Sequence, residues 1–174
     1  MRKLSITELN RKLPEEFHQT EKQSIRILLD NVRSAHNIGS VFRSADAFAI
    51  EQIFLCGITA TPPNREIHKS ALGATETVQW TYFEQTSDAI KTCKDDGYSI
   101  VLIEQTTNSV ELPEFIPQGP IALLFGNEAE GISDDAIGMA DSAVEIPQFG
   151  TKHSFNISVC AGIVMYDIWT KSNK

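Results

Sequence analysis

Hydrophobic and polar positions along the chain fall into two alternating kinds of segment. Six short runs are apolar almost throughout: 24–30 (SIRILLD), 53–58 (IFLCGI), 78–83 (VQWTYF), 98–104 (YSIVLIE), 120–126 (PIALLFG) and 142–146 (SAVEI). Such runs, without polar alternation, are the pattern of strands buried on both faces. Between them apolar residues recur at helical spacing over 38–49, roughly 66–72, 86–96, 133–140 and 155–170. Strand and helix in alternation predict one α/β domain, a parallel sheet covered by helices on both faces. Residues 1–23, charged and carrying Pro14, read as a helical arm ahead of a domain spanning 24–174.

Composition narrows the class. With 41% hydrophobic and 22% charged residues, the 174-residue chain is no disordered polymer. No apolar run reaches the length of a membrane span, and MRKLSITELNRK lacks the apolar stretch of a secretion signal. Cys56, Cys93 and Cys160 stand far apart with no CxxC, which reads as reduced thiols in a cytoplasmic protein. The net charge of −8 argues at first sight against a nucleic-acid partner. Its distribution softens that. Residues 1–69 hold ten Lys/Arg against eight Asp/Glu, net +2, whereas 70–174 hold five against fifteen, net −10. One positive surface remains compatible with that division.

Chemistry in a parallel sheet gathers beyond the carboxyl ends of the strands. No GxGxxG, GxxxxGK[ST] or GxSxG is present, and His18, His36, His68 and His153 have no metal-ligand spacing. Attention falls on three polar, glycine-bearing segments. In 29–48, Asn37 is placed to cap a helix from Ile38, and Gly39 in the first turn beside Arg43 suits a phosphate. In 123–133, Gly126 and Gly131 bracket Glu128 and Glu130, a binding loop for hydroxyls, amines or an arginine. In 145–169, Ser154 reads as the cap of an apolar helix whose first turn carries Asn156. Its Ala161–Gly162 pair would let another backbone approach, suggesting that the helix faces a second subunit.

Taken in order, these segments resemble the three motifs of the SpoU (TrmH-like) RNA 2′-O-ribose methyltransferases of the SPOUT superfamily. The matching pieces are N37-I-G-S-V-F-R43, L124-F-G-N-E128-A-E-G131-I and I146-P-Q-F-G150-T-K-H-S154-F-N156-I-S-V, with K69-S-A-L-G-A74 between the first two. The likeness runs over about 24–170. It implies a sheet whose C-terminal part forms a deep trefoil knot, a homodimer, and S-adenosylmethionine as methyl donor, which accounts for a methyltransferase without GxGxG; the histidine spacing above already speaks against a metal. It places Gly126, Ile146 and Ser154 around the donor, with Phe155 and Glu104 as further candidates. Arg43, Asn37, Glu128, Ser154 and Asn156 fall on the catalytic positions, Arg43 as a charged stabiliser of the developing 2′-alkoxide. The substrate implied is RNA, tRNA before rRNA, met by few cations such as Arg33, Arg65, Lys69 and Lys152. Two other readings stay open: a non-catalytic RNA-binding knotted homodimer, and an unrelated α/β enzyme with a nucleotide-like cofactor.

Overall fold

The computed structural model describes residues 1–5 and 7–172. Its strands are β1 (Gln23–Asp30), β2 (Ile50–Cys56), β3 (Gln79–Phe83), β4 (Ser99–Ile103), β5 (Val110–Glu111), β6 (Ile121–Phe125) and β7 (Ser142–Glu145). After a 3-10 turn at Thr7–Leu9, the helices are α1 (Pro14–His18), α2 (Ala35–Ala47), α3 (Arg65–Ala71), α4 (Ala74–Thr77), α5 (Thr86–Asp95), α6 (Asp134–Ile137) and α7 (Ile157–Ser172). All six strand pairings are parallel, in the order β3-β2-β1-β6-β4-β7-β5. No helix of the described residues is long and apolar enough to cross a membrane.

The continuous apolar strands are explained by two cores. Along β1, Ile27 and Leu29 face a core with Ile38, Val41 and Phe42 of α2 and Val164, Met165 and Ile168 of α7. Leu28, one residue out of phase, faces the other core with Ile90 of α5 and Ala136 of α6. Arg26 and the terminal Asp30 are the two charges of the β1 run, and Arg26 lies within it. Its side chain is 11% exposed, paired with Glu51 at 2.9 Å and Asp96 at 2.5 Å, and lies 4.1 Å from the Tyr98 ring centroid. A buried guanidinium is tolerable only with such partners.

Several boundaries differ from the sequence pattern. The first helix after β1 starts at Ala35 rather than Ile38, because Ser34, not Asn37, is its cap and accepts from the Asn37 amide at 3.3 Å. Ser154 is likewise not the cap of α7. Asn156 Oδ1 accepts from the amides of Ser158 at 2.9 Å and Val159 at 3.4 Å. The segment 133–140 contracts to the four residues of α6, with Gly138 at its end. Neither α4 nor the two-residue β5 left a periodic signal, being too short to show one. Gly39 serves packing instead of phosphate: a β-carbon there would strike Ser70 Oγ and the Ile67 carbonyl, so it lets α3 lie against α2.

Candidate active site

Strand order reverses between β1 and β4, and β6 fills the gap, so the carboxyl ends of β1, β6, β4 and β7 converge. Asp30 ends β1 with 1% exposure. Its Oδ1 accepts from Asn31 Nδ2 at 2.8 Å and Thr86 Oγ1 at 2.5 Å, and its Oδ2 from Ser133 N at 3.0 Å and Ser133 Oγ at 2.9 Å. One carboxylate thus fastens β1 to the start of α5 and to the far end of the loop after β6. Asp30→Ala leaves these donors inside the protein without an acceptor, and should cost about 3 kcal/mol in urea unfolding. A loss below about 1 kcal/mol would mean water satisfies the same groups.

The loop after β6 is closed on itself. The backbones of Asn127 and Gly131 exchange hydrogen bonds at 2.9 Å in both directions. Asn127 Oδ1 accepts from the amides of Ala129 at 2.8 Å and Glu130 at 3.1 Å, while its Nδ2 donates to the Asn31 carbonyl at 2.8 Å. The returning backbone at Gly131–Ile132 passes over Gly126, where a β-carbon would overlap it.

Glu128 projects from this loop to the start of α2. Its carboxylate accepts from Arg33 N at 3.0 Å, Ser34 N at 3.2 Å and Asn37 Nδ2 at 3.2 Å. A carboxylate only accepts, so Asn37 must turn its amide nitrogen toward it. That leaves Asn37 Oδ1 to accept from Asn156 Nδ2 at 3.1 Å. Asn156 Oδ1 is then left for the amides that open α7. Three loops far apart in sequence are joined through one directional chain of side chains.

Beyond this chain lies a cleft of about 720 Å³ between the ends of β4, β6 and β7. Gly126, Ile146, Ser154, Phe155 and Glu104 all line it, as do Glu128 and Asn156. Asn37 is buried behind them. Arg43 is not brought to the cleft: it sits on the exposed outer side of α2 and its side chain makes no hydrogen bond or ion pair among the described residues. The cleft is acidic, with Glu104, Glu130, Asp134 and Glu145 beside Glu128 and no Lys, Arg or His in its wall. Cys160 also lines it, but burial, and then the Glu104 carboxylate, push its thiol up to about 12, so it is a neutral wall.

The profile of the SpoU rRNA Methylase family matches residues 24–166. The chain belongs to that family. A putative TrmH family tRNA/rRNA methyltransferase of Staphylococcus saprophyticus is 29% identical over 88% of this SpoU chain and 61% of its own. The tRNA (guanosine(18)-2′-O)-methyltransferase of Thermus thermophilus is 26% identical over 92% of this chain and 82% of its own. The SpoU chain therefore spans about three fifths to four fifths of these relatives. Among solved structures, the AdoMet-bound rRNA methyltransferase of Sinorhizobium meliloti superposes with a TM-score of 0.79 at 26% identity, over 87% of this chain and 59% of that one.

Within this SpoU member, Asp30 and Asn127 are the site residues that the sequence pattern passed over. An aspartate closing an otherwise apolar strand was the available signal for Asp30, and Asn127 stood inside the second motif without an evident task. Partial burial pushes the Glu128 carboxyl up, but the amides of Arg33 and of Glu128 itself, with Asn37 and Ser34, hold it below the usual carboxylate range. Its stabilising effect is therefore fully present above the unfolded value near pH ~4.3 and is lost as pH falls through the lower folded value. Wild type should lose more melting temperature between about pH 6 and pH 3 than Glu128→Gln does. Parallel profiles would show that Glu128 is not held in its ionised form.

Proposed function

We propose that the chain transfers a methyl group from S-adenosylmethionine to a ribose 2′-hydroxyl of RNA, tRNA ahead of rRNA, as a knotted cytoplasmic homodimer. The observation that carries this reading is the chain Glu128–Asn37–Asn156, which unites all three motif loops at the rim of one acidic cleft. The Thermus thermophilus relative, named for 2′-O-methylation of tRNA, supports the substrate, and the AdoMet-bound Sinorhizobium meliloti structure supports the donor. Fold likeness within the family supports the knot.

The residues present fit the donor. Bound S-adenosylmethionine supplies a methyl group on a positively charged sulfur, an activated leaving group. Gly126, free of a side chain, and Ile146, Ser154 and Phe155 line the cleft and would hold the donor through backbone groups and apolar surface. Glu104 and its acidic neighbours favour a cationic ligand. Ser154 and Asn156 orient the ribose and its phosphate. The Arg43 guanidinium stabilises the 2′-oxygen as its proton passes to water or a phosphate oxygen of the RNA.

Support for the dimer lies on α7. Val159, Ile163, Tyr166 and Trp169 leave an exposed apolar stripe, 51% and 58% exposed at Val159 and Tyr166. Phe48, just past α2, lies 6.0 Å from the Tyr166 ring, so the helix carrying Arg43 borders that stripe. A second copy docked there would lie beside α2, and on this reading Arg43 serves a site built from both protomers.

The test is transfer of tritiated methyl from S-adenosylmethionine to transfer and ribosomal RNA, each isolated from cells lacking this gene. The reading expects label in tRNA that survives alkali as a 2′-O-methyl dinucleotide. Donor binding without label in either pool would refute it.

A further inference from the structure

Phe149 is 98% exposed, and it stands one residue from Gln148, which lines the cleft. Exposed apolar side chains scattered over a surface need no explanation. This one differs in where it is held. The loop from Pro147 to Asn156 has no helix or strand, yet it is held at the His153 carbonyl, from outside the loop and from within it. Gln105 Nε2 donates to the His153 carbonyl at 2.7 Å, and Gln148 Nε2 reaches the same oxygen at 3.5 Å. The aromatic ring therefore projects from a tethered loop at the mouth of the site.

Charge supplies an independent pointer. The second half of the protein is strongly acidic and the cleft wall holds five carboxylates, but residues 146–166 contain no Asp or Glu. Lys152 and His153, both exposed, sit in the same loop as Phe149. An aromatic face beside a cation, on a rim loop free of negative charge, is a combination that holds an unpaired nucleobase and its phosphate. A small cationic ligand would not call for it.

We infer that Phe149 is a substrate-positioning residue. It stacks on a nucleobase of the RNA at or next to the methylated nucleotide, with Lys152 on the adjoining phosphate. The inference rests on the RNA methyltransferase reading above and deepens it, because a stacked base fixes which ribose lies over the cleft. Stacking requires a base free of its duplex, so the preferred target is a loop or a strand that can open.

The experiment compares wild type, Phe149→Ala, Phe149→Leu and Phe149→Trp in methyl transfer to tRNA from cells lacking this gene. Donor affinity, melting temperature and oligomeric state are measured alongside. Phe149→Ala should raise KM for tRNA by about 5- to 150-fold, the range set by loss of one aromatic–base stack. Donor affinity, melting temperature and oligomeric state should stay at wild-type values. Phe149→Trp should restore KM and Phe149→Leu should not, since leucine keeps the apolar surface without the ring. An unchanged KM in Phe149→Ala overturns the inference, as does full rescue by leucine. Altered donor affinity or oligomeric state overturns it by assigning Phe149 to donor closure or to the subunit contact. Absence of transfer by wild type itself overturns the underlying reading, and is thereby told apart from failure of the Phe149 inference.

Discussion

On the proposed reading, Arg43→Ala should lower kcat for RNA methylation by on the order of 10²- to 10³-fold, with S-adenosylmethionine affinity and melting temperature unchanged. The direction follows from what Arg43 does in the fold, which is nothing structural. It is exposed on α2, its side chain makes no hydrogen bond or ion pair among the described residues, and it lies outside the cleft of its own protomer. Its removal therefore leaves the donor wall and the core intact. Arg43→Lys keeps the charge but not the planar pair of donors, and should recover only part of the loss. Near-full turnover in Arg43→Lys would reduce the role to a point charge. Near-full turnover in Arg43→Ala would remove the residue from the chemistry. Turnover per protomer measured down a dilution series adds a second check, because a site shared between copies loses activity as they separate.

Gly126→Ala should act on binding of the proposed donor instead. Its β-carbon would come within 3.0 Å of Gly131 C, Gly131 O and Ile132 N, where ordinary contacts lie at 3.4–4 Å. All three are backbone atoms, so relief requires the returning strand of the loop to move by roughly 1 Å, a displacement that costs about 10²-fold in kcat/KM when it falls in an active site. The same loop carries Glu128, so its shift also disturbs the bonds to Arg33, Ser34 and Asn37. Overpacking of this kind typically destabilises by about 1–3 kcal/mol. The check is isothermal titration with S-adenosylmethionine together with urea unfolding. Wild-type donor affinity in Gly126→Ala would show that the loop relaxes without reshaping the cleft.

Much of the architecture was legible because buried parallel strands advertise themselves. SIRILLD and IALLFG are apolar on both faces, and both lie in the middle of the sheet. Helix starts were harder, since a cap is a matter of one hydrogen bond. Ser34 and Asn37 are three residues apart and both are good capping types, and only the geometry chooses Ser34. Gly39 misled in an instructive way. A glycine in a first helical turn marks close approach, and sequence alone does not say whether the visitor is a phosphate or the next helix. The order of the strands, with β6 between β1 and β4, leaves no local trace at all. For that reason Asp30, which meets Ser133 across 103 residues, read only as the polar end of a strand.

Asn156 meets two demands that few side chains satisfy together. Its oxygen must accept from the first amides of α7, and its nitrogen must donate to Asn37. Aspartate would serve the helix but face the Asn37 oxygen with another acceptor, and Asn37 could not rotate without abandoning Glu128. Serine caps well yet is too short to span both, and glutamine reaches farther but is a poor cap. A single amide on a one-carbon stem is the solution, so position 156 has almost no neutral neighbours in sequence space. The helix that bears the apolar stripe and the network that orders the rim must change together or not at all.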